Sequence, residues 1–200
     1  MLEPSALQRF FPVVVTPSHD GKFFQNYVMS MMNFAIEAER AGMRMQVLFH
    51  QGESLVTRAR NNCVAQFLAN PEWTHLFWID ADIGFSAQAA FRLLLSDHDI
   101  AAGVYPLKRE DWPQEGVAAG TTRAQFDATF TRYTVNASAS EASGKVELEV
   151  QPDGFMKMTE APTGFMAIKR GVFERLMASY PELSLSLIHI SEPTRLRRIS

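Results

Sequence analysis

Two aspartates one residue apart, Asp80 and Asp82, stand directly after the apolar run HLFWI. Such a run is typical of a strand buried on both faces, and a charge at its end is costly unless it is paired or binds a metal. Carboxylates in this arrangement can hold a hard divalent cation and leave coordination positions for water and a ligand's phosphates. A cation so held can neutralise charge on a departing diphosphate. The competing interpretation is a pair of carboxylates that caps a helix or meets Lys or Arg, because Asp-x-Asp is common by chance.

The segments around these aspartates alternate between strand and helix patterns. The runs PVVVTP, MQVLFH, HLFWI and DIAAGVYP predict strands. Helices are predicted between them, one ended by Gly42, one capped by Ser54 and one capped by Ser86. Their apolar positions are Tyr27, Val28, Met31, Ala35 and Ala38, then Val56, Ala59, Cys63 and Phe67, then Ala90, Leu93 and Leu94. The pattern predicts an α/β fold with a mostly parallel central sheet, right-handed crossovers and helices on both faces.

Ligands of such sheets bind outside the carboxyl ends of the strands, so a site is expected in the loops after Thr16, Phe49 and Ile79. The stretch from Gln114 to about Asp153 is rich in Ala, Ser, Thr and Gly. It predicts an excursion or a lid, with an edge strand at KVELEV. Regular structure is predicted again at TGFMAIKRGVFERLMASYPEL, as a short strand followed by a helix.

The composition excludes several classes of protein. The chain has 200 residues, 46% of them hydrophobic, and a net charge of -3. It is therefore globular in composition, and its small negative charge gives no reason to expect a nucleic-acid partner, because proteins that bind the phosphate backbone usually have a basic face. No run is apolar and long enough to span a bilayer, and the first residues do not read as a signal peptide. The single cysteine, Cys63, fits a cytoplasmic location and is expected to be an inert core thiol.

The order of several motifs resembles a known family. ARNN on the second predicted helix, HLFWIDADIGF, DIAAGVYPLK and TGFMAIKRGVFERL follow one another between about residues 12 and 183. This succession resembles the nucleotide-binding half of GT-A glycosyltransferases, in which an Ala-Arg-Asn helix precedes the strand that ends in the Asp-x-Asp metal motif. The resemblance implies a GT-A, Rossmann-like fold, a hexosyltransferase-like enzyme and a Mn²⁺ or Mg²⁺ ion at Asp80 and Asp82.

The same resemblance implies residues that bind the nucleoside. Thr16 and Pro17, at the end of the first strand, would touch it, with His19 close by. Glu53, in the loop after the second strand, would lie near the base or ribose. Many members of the family carry an Asp nearer the strand end than Glu53 stands.

Arg58 and Arg60 are equal candidates for approaching the diphosphate. Arg60 lies beside the core stripe of its helix, whereas Arg58 and Asn61 lie on the more polar face. The alternative for either arginine is a surface salt bridge. His50 and His75 are not spaced as metal ligands and are expected on the surface or in packing.

Three hypotheses of function follow. The first is metal-dependent transfer of a sugar from a nucleoside-diphosphate sugar to an unknown acceptor. An inverting enzyme of this kind needs a carboxylate base, for which Glu160 is the candidate. The second is a sugar-phosphate nucleotidyltransferase of the same fold, against which the loop TPSHDGKFF argues, since it carries a single Gly and Lys22 instead of a Gly-rich phosphate loop. The third is a non-catalytic protein that binds nucleotide sugars.

The sequence changes character after Leu183. SLSLIHISEPTRLRRIS is basic and follows neither a helical nor a strand period. Its tract SLIHISEPTR resembles a translated sequencing adapter, so residues 184–200 are expected to be a non-native tail and residues 1–183 an incomplete GT-A domain. A native basic tail is the alternative. Because the acceptor half of the family is only begun at TGFMAIKRGVFERL, the chain as written is expected to bind donor better than it turns it over.

We therefore predict that residues from about Ser184 onward add no packed structure. A chain shortened to end at Leu183 should melt within a few degrees of the full chain, because no buried contact is lost. Thermal unfolding followed by circular dichroism measures the difference. A large loss of stability on truncation would show that the tail belongs to the fold.

Overall fold

The computed structural model describes residues 4–51, 56–110, 112–134, 150–158 and 160–181. Two compact units make up the chain, one formed by Met1–Ala101 with Gly164–Ser200 and the other by Ala102–Thr163. Several sequence predictions lie outside the described residues: the cap at Ser54, the ligand contact of Glu53, nearly all of the strand KVELEV, and the tail 184–200.

Strands and helices alternate through most of the described chain, after a 3₁₀ helix over Pro4–Leu7. In chain order the elements are β1 (Pro12–Ser18), α1 (Gln25–Arg40), β2 (Gln46–Gln51), α2 (Val56–Ala69), β3 (His75–Ile79), α3 (Ala87–Leu95), β4 (Ile100–Ala102), β5 (Pro106–Glu110), α4 (Arg123–Phe130), β6 (Thr131–Tyr133), β7 (Phe165–Lys169) and α5 (Arg170–Ser179).

Five strands form one mixed sheet in the order β2–β1–β3–β7–β4. β1 pairs in parallel with both β2 and β3, so that Val14 stands between Val47 and Phe77. β7 pairs with β3 in the antiparallel direction. The predicted α/β fold class, with a mostly parallel sheet flanked by helices, is confirmed.

The predicted fourth strand is shorter than expected. Of DIAAGVYP, only Ile100–Ala102 forms β4, and β7 separates it from β3. The chain passes into the second unit after Ala101, and Pro106 already begins β5. β7 can occupy the place beside β3 because its residues 165–167 are apolar and all buried there.

The second unit contains β5, β6 and α4. β5 and β6 pair in the antiparallel direction. A capping box starts α4, in which the Thr122 side chain accepts from the Gln125 N–H and the Gln125 side chain accepts from the Thr122 N–H. Phe126 is buried against Trp112, with ring centroids 4.5 Å apart. This unit begins before Gln114, where the predicted excursion starts.

Helices cover the main sheet from both faces. The connection from β1 to β2 moves toward one edge of the sheet, and the connection from β2 to β3 moves back toward the other edge. Because both crossovers have the same hand, their helices α1 and α2 lie on opposite faces of the sheet. Aromatic contacts agree with this arrangement. Phe34 of α1 meets Phe77 of β3 and Phe91 of α3, whereas Phe67 of α2 meets Phe173 of α5. One outer layer therefore contains α1 and α3, and the other contains α2 and α5.

α1 buries three of its five predicted positions, Tyr27, Met31 and Ala38, but the other two are exposed. Val28 is 40% exposed and Ala35 is also exposed. The helix is turned so that Ser30 reaches the loop after β3, where its Oγ accepts from the Phe85 N–H at 2.9 Å. The buried face therefore consists of Tyr27, Ser30, Met31, Phe34 and Ala38.

The other helix predictions are confirmed where they can be compared. The Ser86 Oγ caps α3 by accepting from the Ala89 N–H at 3.1 Å. The predicted apolar positions of α2 and α3 are buried at Ala59, Cys63, Phe67, Ala90, Leu93 and Leu94. Among the helices that the structure describes, none has the length and apolar character needed to cross a membrane.

Arg170, the first residue of α5, closes the far end of α2. Its guanidinium carbon lies 4.6 Å from the centroid of the Phe67 ring. Nη2 donates to the Phe67 carbonyl and Nε to the Trp73 carbonyl, each at 2.8 Å, and Nη2 also donates to the Asn70 carbonyl. The last carbonyls of a helix have no partner within it, so Arg170 satisfies from another element what α2 leaves open.

His75 begins β3 in a buried position, as a packing residue. Its ring meets Phe10 edge-on at 5.2 Å, and Nδ1 lies 3.0 Å from the Thr74 Oγ1. Burial, reinforced by the nearby positive charges of Lys169 and Arg9, lowers the pKa of His75 to about 4. The expectation of a packing role is confirmed.

We therefore predict that mild acid destabilises the fold through His75. The unfolded chain protonates this histidine near pH 6.5 and the folded chain only near pH 4, so stability is lost progressively as the pH falls through this window. At pH 5 the free energy of unfolding should be about 2 kcal/mol lower than at pH 7 from this group alone. Urea unfolding at the two pH values measures the difference.

The matched control is another histidine. His75→Phe should lose most of this pH dependence, whereas His98→Gln, at a partly exposed site before β4, should retain it. The same slope of stability against pH in the wild type and in His75→Phe would contradict the assignment.

Candidate functional site

A cavity of about 200 Å³ opens at the carboxyl edge of the sheet in the first unit. The ends of β1, β2 and β3 and the first half of α2 supply its lining, which includes Pro17, Ser18, His19, His50, Ala59, Arg60 and Asp80. Pro17 and His50 are opposite each other in the parallel register, which brings both to this edge. Sequence-predicted site residues that meet here are Pro17, His19, Arg60 and Asp80.

The cavity lies where the strand order reverses. The chain leaves β1 toward β2 at one edge of the sheet and leaves β3 toward β4 at the other edge, although β1 and β3 are neighbours. Connections that diverge in this way leave a crevice outside the carboxyl ends of the two strands, and open α/β sheets bind their ligands in such crevices. The cavity therefore lies where open α/β sheets commonly bind their ligands.

The backbone at Asp80 is held where β3 ends. Its N–H donates to the Gly164 carbonyl at 2.8 Å, and its carbonyl accepts from the Ile83 N–H at 3.1 Å. The turn that carries both aspartates is thereby closed on itself and joined to the segment that leads into β7. Asp80 and Asp82 are each partly exposed, so their carboxylates are open to solvent.

The start of α1 supports the same turn. Three hydrogen bonds join the two segments. The Phe24 N–H donates to the Ala81 carbonyl at 2.9 Å, and Asn26 Nδ2 donates to the Asp82 carbonyl at 3.3 Å. The Phe85 N–H donates to the Ser30 Oγ at 2.9 Å. At Gly84 a Cβ atom would stand 3.2 Å from Asn26 Nδ2, so a larger residue would press on this support. The position of Asp82 is therefore fixed by α1 as well as by β3.

Arg60 extends from α2 into the cavity between Trp78 and Asp80. Its guanidinium carbon lies 4.8 Å from the centroid of the Trp78 ring, and its Nη2 lies 3.4 Å from the Asp80 Oδ1. Trp78 and Asp80 are two residues apart, so their side chains leave the chain toward the same face, which is the face that α2 covers. The Arg60 and Asp80 side chains are 21% and 37% exposed, so the pair is partly covered and can be reached from the cavity.

The structure separates the two candidate arginines. Arg58 and Asn61 are exposed on α2 and are not among the described residues that line the cavity, whereas Arg60 is. The approach of Arg58 to a diphosphate remains a prediction, and so does a contact of Asn61 with the nucleotide sugar. Glu160 is exposed and belongs to the second unit, and its role as a base also remains a prediction.

Thr16 does not face the cavity, in contrast to the expectation that it touches a nucleoside. Its side chain is 0% exposed, and its Oγ1 lies 2.6 Å from the Tyr27 Oη of α1. Side chains alternate along a strand, so Thr16 points to the α1 face while its neighbour Pro17 borders the cavity. A buried hydroxyl needs a hydrogen-bond partner, and Thr16 therefore fastens β1 to α1.

Sequence reasoning missed two residues of the site. It places His50 on the surface or in packing, but His50 is half-buried in the cavity lining. Trp78 belongs to the apolar run HLFWI in the sequence, yet the guanidinium carbon of Arg60 lies 4.8 Å from the centroid of its ring. His50 could have been found from its position opposite Pro17 in the sheet, but this position is known only once the register between β1 and β2 is known.

Cys63 lies one turn beyond Arg60 on α2 and is buried in the core, as predicted. It is 1% exposed. Burial raises the pKa of its thiol to about 11, against a smaller opposite effect from the positive charge of Arg60. A thiol that stays protonated at neutral pH is a poor nucleophile, so the chemistry of the cavity belongs to its charged groups.

Asp80 lines the cavity, whereas Asp82 is not among the described lining residues; both offer the carboxylate oxygens that Mg²⁺ and Mn²⁺ prefer. Within the described ranges, no group of three or more His, Cys, Asp or Glu side chains is placed to hold a metal ion. A closed cage made of protein ligands therefore does not fit these residues. They fit a cation that keeps several waters and shares its coordination with phosphate oxygens, which is the usual behaviour of Mg²⁺ in phosphate-binding proteins.

The bond between Thr16 and Tyr27 should be measurable as a coupling between two variants. Thr16→Val leaves the Tyr27 hydroxyl buried without its partner and should lower the free energy of unfolding by about 1–3 kcal/mol. Adding Tyr27→Phe removes that stranded hydroxyl, so the double variant should be destabilised by less than the sum of the single variants. Urea unfolding of the four proteins measures the coupling, and strict additivity would contradict it.

Comparison with known proteins gives no family. No family model and no curated protein matches the chain. Among solved structures, the chain is similar to A197 from STIV, with a TM-score of 0.49 and 15% identity over 83% of this chain and 68% of that one. A likeness of this degree carries no argument about activity, which has to come from the residues of the cavity.

Proposed function

We propose that this chain binds a nucleoside-diphosphate sugar in the cavity and transfers the sugar to an acceptor with the help of Mn²⁺ or Mg²⁺. The observation that carries the proposal is the meeting of Arg60 with Asp80 at the end of β3, beside Asp82 in the chain. A carboxylate pair suits a divalent cation, and a guanidinium suits a phosphate. Together they match the opposite charges of a metal–diphosphate ligand.

The other parts of the cavity suit the rest of such a ligand. Arg60 presents a planar fork of donors that matches phosphate oxygens, and the Trp78 ring holds this fork in place. Asp80 and Asp82 would hold the cation, which when bound neutralises charge on the departing diphosphate. Pro17 and His50 line the part of the cavity at β1 and β2, where a nucleoside would lie.

The loop between β1 and α1 supports sugar transfer over nucleotidyl transfer. A nucleotidyltransferase needs a basic group in this loop for the phosphates of a nucleoside triphosphate. Lys22 supplies the positive charge of the loop, and its Nζ is engaged with the Asp20 carboxylate at 2.8 Å. Both side chains are well exposed, so the pair points to solvent. The positive charge in the cavity lining is instead that of Arg60.

The proposal predicts that nucleotide binding depends on the metal through Asp82. In titration calorimetry with UDP, GDP and CDP, at least one nucleoside diphosphate should bind about tenfold or more tightly in Mn²⁺ than in EDTA, the size expected for added charged contacts. Asp82→Asn should abolish that difference, because a neutral amide holds the cation poorly. Glu72→Gln is the matched control, since Glu72 forms an exposed ion pair with Arg44 at 3.5 Å before the amino end of β3.

Equal affinity in Mn²⁺ and EDTA, or an Asp82→Asn variant that binds like the wild type, would refute the metal-dependent proposal. Turnover then separates the candidate reactions. Release of a nucleoside diphosphate from a sugar nucleotide supports transfer, and release of pyrophosphate from a nucleoside triphosphate plus a sugar phosphate supports nucleotidyl transfer. Nucleotide binding without either product indicates a binding protein.

A further inference from the structure

Arg60 and Asp80 pair with each other, and both are groups that the proposed ligand needs. We propose that this ion pair is a displaceable lock that couples cation binding to diphosphate binding, so that neither ligand binds well alone. The inference rests on the proposed function for the identity of the diphosphate. Its consequence for a bare cation can be tested without that function.

The geometry is that of a contact which can be exchanged. The Nη2–Oδ1 distance of 3.4 Å is long for a charge-assisted hydrogen bond, which is usually about 2.7–2.9 Å. With 21% of the Arg60 side chain and 37% of the Asp80 side chain exposed, water reaches both groups. Because both groups can be reached from the cavity, a ligand can take the place of either partner in the pair.

Trp78 keeps the Arg60 guanidinium at the site while Arg60 exchanges Asp80 for a phosphate. The ring is 4% exposed, and its backbone is paired with Val15 on one side and Met166 on the other. The guanidinium carbon of Arg60 stands 4.8 Å from the ring centroid. A cation over an indole ring is attracted to its face, so Arg60 can turn from Asp80 to a phosphate oxygen without leaving the ring.

The coupling comes from charge balance. A cation that binds Asp80 alone has to share the carboxylate with a guanidinium of the same sign or take that carboxylate away from Arg60. A diphosphate that binds Arg60 alone brings its negative charge next to Asp80 and Asp82. When both arrive, the carboxylates take the cation and Arg60 takes a phosphate, so every partly buried charge keeps a partner. Each ligand must then raise the affinity for the other by the same factor.

Arg60→Met tests the lock, because methionine keeps an unbranched apolar stem over Trp78 and removes the charge. In the wild type, Mn²⁺ and the nucleoside diphosphate that binds most tightly should strengthen each other by about 5–150-fold. In Arg60→Met, Mn²⁺ alone should bind several-fold more tightly than in the wild type. The nucleoside diphosphate in Mn²⁺ should bind about tenfold or more weakly, and the coupling factor should fall toward one. Paramagnetic resonance of free Mn²⁺ and calorimetry measure these affinities.

Two controls separate the lock from a general effect of charge or of stability. Arg40→Met removes an equal charge from the exposed end of α1, where Arg40 pairs with Glu37, and should behave like the wild type. Tryptophan emission should change when Mn²⁺ and nucleotide are added together, because the cation over Trp78 changes its partner. Trp78→Phe should remove this change, whereas Trp112→Phe, at a 61% exposed site, should keep it.

The outcomes distinguish this inference from the proposed function. If the wild type binds no nucleoside diphosphate in Mn²⁺, the proposed function fails, yet tighter Mn²⁺ binding by Arg60→Met than by Arg40→Met still supports the lock. If nucleotide binds but Arg60→Met leaves both the Mn²⁺ affinity and the coupling unchanged, the lock is overturned and the function stands.

Should Arg60→Met melt below room temperature, Arg60→Lys replaces it. That variant keeps the charge without the planar fork, so Mn²⁺ binding should stay weak and the Trp78 signal should be lost, and tight Mn²⁺ binding would overturn the lock.

Discussion

The constraint on which the first unit depends is the complete burial of β3, which leaves no position for a charged side chain before the strand ends. Every residue of β3 is buried, with β1 and β7 beside it in the sheet and helices on both faces. Even His75 is kept neutral there by burial. An unpaired charge within such a strand would cost several kcal/mol, so the first carboxylate stands where the strand emerges, at Asp80. The location of the candidate site therefore follows from where burial stops.

α1 also determines where the candidate site lies, although no α1 residue is among the described residues of the cavity lining. Its first turns hold the Asp80–Asp82 turn through Asn26 and Ser30, and its Tyr27 holds β1 through Thr16. α1 thus positions the ends of β1 and β3, the two strands that border the crevice, from the face of the sheet opposite α2.

What the sequence predicts well is local or periodic. The alternation of strands and helices, the cap at Ser86 and the buried stripe of Ala59, Cys63 and Phe67 need only short-range patterns, and the structure contains them. The insertion of β7 between β3 and β4 depends on pairing between residues far apart in the chain, which no local pattern carries. Strands buried on both faces also do not show which side chain points where, so the burial of Thr16 could not be predicted from β1 alone. The placing of His50 opposite Pro17 required the register of two strands joined by a long connection.

The contacts of Arg170 with the end of α2 have a consequence for how the protein forms. They join residues about 100 positions apart, and β7, which completes the pairing of β3, directly precedes Arg170. A growing chain that has not yet reached this segment exposes the unpaired edge of β3 together with the open carbonyls of α2. Such an edge readily pairs with other chains, so synthesis passes through a stage at which aggregation competes with folding. Arrival of the β7–Arg170 segment ends that stage, because one short stretch closes the sheet edge and the helix end together.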